Sequence, residues 1–409
     1  MRRDTPATPD GRAAPRPTSK PRLWVTAALF FTQYVAFGVY FTFLNVYLRS
    51  VGLTGSEIGF NGMVVGIFAM LGTFAWSYVA DRTGRPRVLL AVGALGTLAG
   101  AQLVPLVASN SLQPAFWWYV AINAFVGVMN ASINTLIDST VVAMLGEQRH
   151  KYGVYRLGGS IGFIVGAVGA GQLYDRVGYG WMFASFAVVM LAFAGFTLLL
   201  PARVARVVGS GKQEIGQMIR RPEWLILILS LFVFWAGYSA SFAFNGVILK
   251  AMGASDSLIS YSAVIGTLIE LPFMAYSGRL IQRFGPSRLL AVGLLIQAVR
   301  FVLLSQMRAP EWAIAFNMLN GPGYVFTWNS AVYLVARFAP PGLGATAQGI
   351  MASTLGLANI LSSAASGVLY DRFGFSTLYI LFAATSAVAL AMFAIGRVWS
   401  RPTQPAATG

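Results

Sequence analysis

Long apolar runs recur along the whole chain, separated by short polar clusters. They fall near 23–48, 57–80, 88–109, 114–145, 152–173, 179–200, 224–249, 257–281, 289–307, 311–338, 345–370 and 376–397. Each approaches the ~20 residues that a helix needs to cross about 30 Å of hydrocarbon. None alternates apolar and polar residues as a strand would, and lipid admits only helices or closed barrels. The pattern therefore predicts twelve transmembrane helices and an all-α membrane protein.

A second pattern lies over the first. Leu48-Arg49-Ser50-Val51-Gly52 is echoed by Leu249-Lys250-Ala251-Met252-Gly253, and Arg82-Thr83-Gly84 by Arg283-Phe284-Gly285, both 201 residues on. Leu173-Tyr174-Asp175-Arg176-Val177-Gly178-Tyr179 returns 196 residues later as Leu369-Tyr370-Asp371-Arg372-Phe373-Gly374-Phe375. A period near 200 is too long for a solenoid. It fits two six-helix bundles related by pseudo-two-fold symmetry, with a solute bound between them. The expected organisation is a disordered basic cytoplasmic tail (1–22), an N-terminal bundle (23–200), a cytoplasmic linker (201–223), a C-terminal bundle (224–397) and a disordered cytoplasmic tail (398–409).

Charge orients this arrangement. With the N-terminus inside, 22 Lys and Arg fall on inside segments, five on outside ones, and two, Arg156 and Arg300, within spans. The positive-inside rule then puts both termini in the cytoplasm of a plasma (cell inner) membrane protein. It also accounts for the +16 net charge without a nucleic-acid partner. The chain has no Cys, which excludes disulfides, thiolate catalysis and thiolate metal sites. The only His, His150, sits in a cytoplasmic turn. No acid pair, membrane His or metal constellation points to an enzyme, and no metal or cofactor is expected.

Four ionisable residues break the apolar rule: Asp138, Arg156, Glu270 and Arg300. A charge at membrane depth costs at least ~2.5–3.5 kcal/mol on insertion scales, so it faces a cavity or a partner. One acid and one base in each half suit a carrier that moves charge, while a pair of structural salt bridges is the plainer alternative. Asn123, Gly127, Asn130, Asn134 and Asp138 recur at steps of four, three, four and four, one helix face. That face should line a cavity, as should Tyr34, Trp235 and Asn245. Gly321-Pro322-Gly323 should weaken the tenth helix and let it bend.

Asp81-Arg82-Thr83-Gly84-Arg85-Pro86-Arg87 resembles the signature loop of the major facilitator superfamily, although Ser77 stands where a Gly is usual. The likeness spans 23–397 and implies alternating access, with Asp81, Arg82, Gly84 and Arg85 gating the inner face. A solvated positive-inside turn is the other reading of that loop. Asp138 and Arg156, 18 residues apart, resemble the lactose-permease branch of proton-coupled sugar symporters, where an acid and an arginine at this spacing bind the sugar. Glu270-Leu271-Pro272 followed by Arg300 is closer to phenylpropionate-permease-like relatives. The His and acid of the lactose-permease tenth helix are missing here, where Asn320-Gly321-Pro322-Gly323 stands. Glu270 beside Arg300 is thus the expected proton-coupling pair, and the expected activity is symport of protons with a sugar-like solute or an aromatic carboxylate by a monomer. A proton-driven drug antiporter would carry a Gly-Pro pair in its fifth helix, and 158–171 has no Pro. A uniporter and a non-transporting membrane sensor or scaffold stay open.

Overall fold

The computed structural model describes residues 23–109, 115–145, 152–201, 216, 218–340 and 343–399. His150, most of the linker and all but the first residues of the C-terminal tail lie outside these, as does residues 1–22. Every described regular element is helical. Helix α1 (Leu23–Ala36) passes through a π-helical turn, Phe37–Phe41, into α2 (Leu44–Ser50). Then come α3 (Gly55–Thr83), α4 (Pro86–Ser109), α5 (Ala115–Leu145), α6 (Tyr152–Val177) and α7 (Gly180–Thr197). After the linker follow α8 (Pro222–Ala251), α9 (Asp256–Phe284), α10 (Pro286–Ser305), α11 (Trp312–Asn317), α12 (Asn320–Phe338) and α13 (Gly344–Trp399).

Among the described residues ten stretches are long and apolar enough to cross a membrane, against the twelve expected. The difference has two local causes. The eleventh and twelfth runs form one continuous α13, broken only by non-helical backbone at Gly374. The tenth run is cut in two between Asn317 and Asn320. That cut also corrects the expected bend, which falls just before Gly321-Pro322-Gly323 rather than on it. Pro322 stands in the first turn of α12, where its missing N–H has no intrahelical acceptor to lose. The flanking glycines serve close approach instead: a Cβ on Gly321 would stand 2.8 Å from the Glu270 nitrogen, and one on Gly323 2.9 Å from Gln297 Nε2.

The sequence repeat is visible in the turns. The described glycines with positive φ are Gly52, Gly84, Gly178, Gly253, Gly285 and Gly374, three pairs at the spacings of the repeat. One set of turns (51–54, 178–179, 252–255 and Gly374) marks what we term the upper face; 84–85, 285 and 339–340 mark the lower. Helix α3 packs on α5 and α13, α1 on α6, α9 on α6 and α12, and α8 on α13. The interior buries Phe30, Tyr40, Phe43, Phe186, Trp224 and Phe234. The exposed surface carries many large apolar side chains, with Val154, Val188 and Ile395 at least 60% exposed, as a lipid-facing surface requires.

Small residues set how closely helices meet, because packing rather than hydrophobic burial holds helices together in lipid. Gly166 presses on α1, where a Cβ would lie 2.5 Å from the Val35 carbonyl oxygen and 2.8 Å from its Cα. Gly169, on the same helix, has nothing within 4 Å of that position. Gly166→Leu should cost about 3 kcal/mol or more by forcing the backbones apart and should abolish the monodisperse peak in size-exclusion chromatography. Gly169→Leu should leave it intact. Equal behaviour of the two would refute the α1–α6 contact.

Candidate functional site

Arg156 lies one turn into α6, level with glycines that admit α1. Its Nη2 donates to the Tyr34 hydroxyl, and the guanidinium carbon stands 4.5 Å from the Tyr34 ring centroid and 5.3 Å from that of Phe30. The π-helical turn that follows Tyr34 re-aims the rest of α1; such turns concentrate at functional sites. One turn before Arg156, on the same face, Tyr152 donates to Asp138 Oδ1 at 2.8 Å. Asp138 and Arg156 therefore share a neighbourhood but form no direct ion pair. The only ion pair within 4.0 Å among the described residues is Lys250–Asp256.

Glu270, half-buried on α9, has no hydrogen bond among the described residues, and the charge acting on it is that of Arg156. Tyr324 lies within electrostatic reach of Glu270 and of the bonded pair Tyr34 and Arg156, groups that α9, α1 and α6 supply. Tyr324 belongs to an aromatic shelf from α8 and α12. Its ring is 6.0 Å from that of Trp328 at 8° and 5.7 Å from that of Tyr238 at 20°, and Trp235 lies 5.5 Å from Trp328.

The expected Glu270–Arg300 pair does not form. Arg300 is 7% exposed and its fork is already committed. Nε and Nη2 donate to Asn317 Oδ1 at 2.9 and 2.7 Å, and Nη1 to Gln297 Oε1 at 3.0 Å. Gln297 donates on to Asn320 at 3.1 Å, and Asn317 to Ser262 at 2.7 Å. Asn245 belongs to this same web, donating to Ser262 at 3.5 Å and accepting from Tyr379 at 3.2 Å. A planar guanidinium can also spend its N–H donors on amide oxygens when their geometry fits the fork. Asn245 is thus tied to buried Arg300 and not to Arg156.

Of the remaining stripe, Asn130 is half-buried beside a cavity, and the side chain of Asn134 lies outside the described residues. At the lower face, Asp81, Arg82 and Arg85 are exposed; Arg82 stacks on Tyr78 at 4.6 Å, and Gly84 ends α3 with φ 60°.

The upper face holds contacts that the sequence reading missed. Asp175, from α6, accepts from the backbone nitrogens of Asp256 at 2.6 Å and Ser257 at 2.9 Å, the first residues of α9. Asp371 does the same for α3, accepting from Gly55 N at 2.9 Å, Ser56 N at 2.6 Å and Ser56 Oγ at 2.7 Å. Each carboxylate thus caps a helix of the other half of the chain, where free N–H groups and the helix dipole favour an anion. Asp256 is held further by Lys250 and by Tyr179. Burial, and then the hydrogen bond to Asp256, push the Tyr179 hydroxyl above its ordinary range. Asn45 Nδ2 adds a bond to the Ala243 carbonyl at 3.0 Å. The available signal was the repeated Leu-Tyr-Asp-Arg motif, which reads as duplication until the partners are seen.

A model described as the MFS_1 like family matches residues 23–381. The chain belongs to that family. It is therefore a multi-span member of a transporter family, not of an enzyme family. It is 26% identical over 366 residues to the maltose permease of Geobacillus stearothermophilus, covering 88% of this chain and 91% of that one. It is 22% identical over 357 residues to a probable 3-phenylpropionic acid transporter of Escherichia coli (strain K12), covering 86% and 92%. The crystal structure of the nucleoside transporter NupG superposes with a TM-score of 0.74 at 18% identity, covering 92% of this chain and 98% of that one. At that identity the last match speaks for the fold alone.

Proposed function

We propose that this MFS_1 like chain is a proton-coupled symporter of a small uncharged or weakly acidic organic solute, sugar-like or an aromatic carboxylate, working by alternating access. The single observation behind this is that Arg156 and Glu270, from opposite halves of the chain, stand within electrostatic reach of each other with no ion pair between them among the described residues, so both keep hydrogen-bonding capacity for a solute. In this reading Arg156, Asp138, Tyr34, Asn130 and Asn134 hold the solute, the shelf around Trp235 stacks on it, and Glu270 exchanges the proton. Arg300 and Asn245 act at a distance, by fixing the helices of the second half.

The proposal takes α11 with α12 as one span and α13 as two, which gives twelve spans in two six-helix bundles, 23–200 and 224–397. It sets the upper face outside, both termini in the cytoplasm of a plasma membrane, and the loop at Asp81, Arg82, Gly84 and Arg85 as the inner gate. With both caps made above and no ion pair at that loop among the described residues, the arrangement suits a state closed to the outside.

Replacing Arg156 tests the binding role. Lysine keeps the charge but loses the planar fork and its bond to Tyr34, and a hydrogen bond to a charged group is worth about 1.5–3 kcal/mol. Uptake by Arg156→Lys in proteoliposomes should fall about 10- to 100-fold at normal expression. An Asp138→Arg, Arg156→Asp exchange should not recover it, since the two are not directly paired. Recovery would make the pair structural and remove it from the solute site.

A further inference from the structure

We infer that a second, uncharged solute subsite lies between α2, α3 and α5, and that it takes a hydroxyl-rich ring at one end of an elongated solute. It rests on the transport reading above only in that the solute enters by the same path. The site is a cavity of about 240 Å³ with Phe41 at one wall and Asn45, Asn61, Thr73, Asn123 and Asn130 around it. No ionisable side chain lines it. Asn61 and Asn123 are 3% and 2% exposed, so these amides are built into the interior and are not surface groups that happen to face a gap.

Their hydrogen bonding is incomplete. Asn123 Nδ2 reaches Asn61 Oδ1 only at 3.4 Å, and Asn123 Oδ1 has no partner among the described residues. A buried amide oxygen without a donor is costly, most of all inside a membrane span where bulk water is absent. The other polar groups offer donors as well as acceptors. Asn45 spends one N–H on Ala243 and keeps its carbonyl oxygen, the Thr73 hydroxyl donates to Ala69 and keeps its lone pairs, and each amide brings an NH2 group. A cavity of uncharged amides selects a ligand that both donates and accepts and bears no net charge. Hydroxyl groups on a ring meet that description. A carboxylate or a cation finds no counter-charge here.

Size and depth make it part of a larger site. Whole drug-sized ligands occupy pockets of roughly 300–1,000 Å³, more than this cavity offers. Asn130 is eight residues from Asp138 on α5, about 12 Å at 1.5 Å per residue. One ring in the amide cavity and another at Arg156 and Glu270 is the arrangement that spans the distance.

The test uses the purified full chain with glucose, maltose and uridine as probes, binding measured by calorimetry. Wild type should bind at least one of the two-ring probes. Asn123→Leu and Asn61→Leu, which keep the branching but remove the amide, should weaken that probe at least tenfold and glucose less than twofold. Asn123→Ala serves should either leucine variant fail to fold. Equal weakening of both probe lengths, or none, overturns the subsite, as does a water-filled cavity that leaves every affinity unchanged. Binding of none of the three overturns its assignment to an uncharged hydroxylated ligand. A protein that binds maltose selectively yet shows no pH-driven uptake sinks the symport reading and leaves the subsite standing.

Discussion

Asp175→Asn combined with Asp371→Asn should open the upper face. Each carboxylate accepts from two successive backbone nitrogens at the start of a helix in the other half of the chain. Asparagine keeps one acceptor oxygen and loses the charge that complements the helix dipole. The loss should be about 1 kcal/mol per cap, within the range for N-cap substitutions and helix-dipole charges. Both caps break in the same transition, so the two costs add, and about 2 kcal/mol moves a two-state equilibrium roughly 30-fold. Because the chain has no Cys, a single Val65→Cys, on the wall of the amide cavity, supplies a clean reporter. A membrane-impermeant maleimide added from the upper side should label it faster in each single variant and fastest in the double. Unchanged labelling in well-folded double variant would show that the caps stabilise helix ends without holding the face shut.

The symmetry of those caps shows what the sequence could and could not supply. Asp175 and Asp371 were visible as a repeated motif, and the turns built on Gly178 and Gly374 appear where the repeat puts them. What each aspartate touches was not legible, because its partners lie 81 and 316 residues away, at helix starts whose own caps already look complete. Thr54 and Glu57 form a capping box on α3, and Ser255 caps α9. A local reading finds nothing missing at either end. The N–H groups left over by those local caps are the ones that the distant carboxylates take.

Helix depth was legible and helix rotation was not. The span positions follow from the requirement that backbone polar groups be satisfied within lipid, and that requirement is written in composition. Asp138 and Arg156 were correctly placed in one neighbourhood because a short connection fixes two antiparallel helices at matched depth. Glu270 and Arg300 also lie in adjoining helices, and the same reasoning paired them wrongly. Which faces meet depends on side chains between them, and Gln297 and Asn317 take up the Arg300 fork before Glu270 can reach it. Neither amide carries a charge or a motif that would mark it in advance. In the proposed reading, Glu270 is thereby left to Arg156 and to the solute.

That placement gives Glu270→Gln the sharpest expected phenotype. Symport requires a group that loads a proton on one side, releases it on the other, and does so in step with solute occupancy. Glu270 is the acid in the second half that stands inside a span, half-buried, without a hydrogen bond among the described residues and within electrostatic reach of Arg156, to which the proposal gives the solute. Glutamine fixes a neutral side chain of the same shape. Uptake driven by a pH gradient should then fall to the rate of protein-free liposomes, because the emptied carrier cannot shed a proton. Exchange of labelled for unlabelled solute should survive, falling no more than about tenfold, since exchange completes its cycle with no deprotonation and the loss of one hydrogen bond to a neutral amide is worth only ~0.5–1.5 kcal/mol. Both assays belong on one reconstituted preparation, using the tightest-binding solute of the calorimetric panel. A variant that still concentrates solute would place the coupling residue elsewhere, with Asp138 the next candidate. A variant that loses exchange together with uptake would place Glu270 among the groups that hold the solute, opposite Arg156, and the proton would need another carrier.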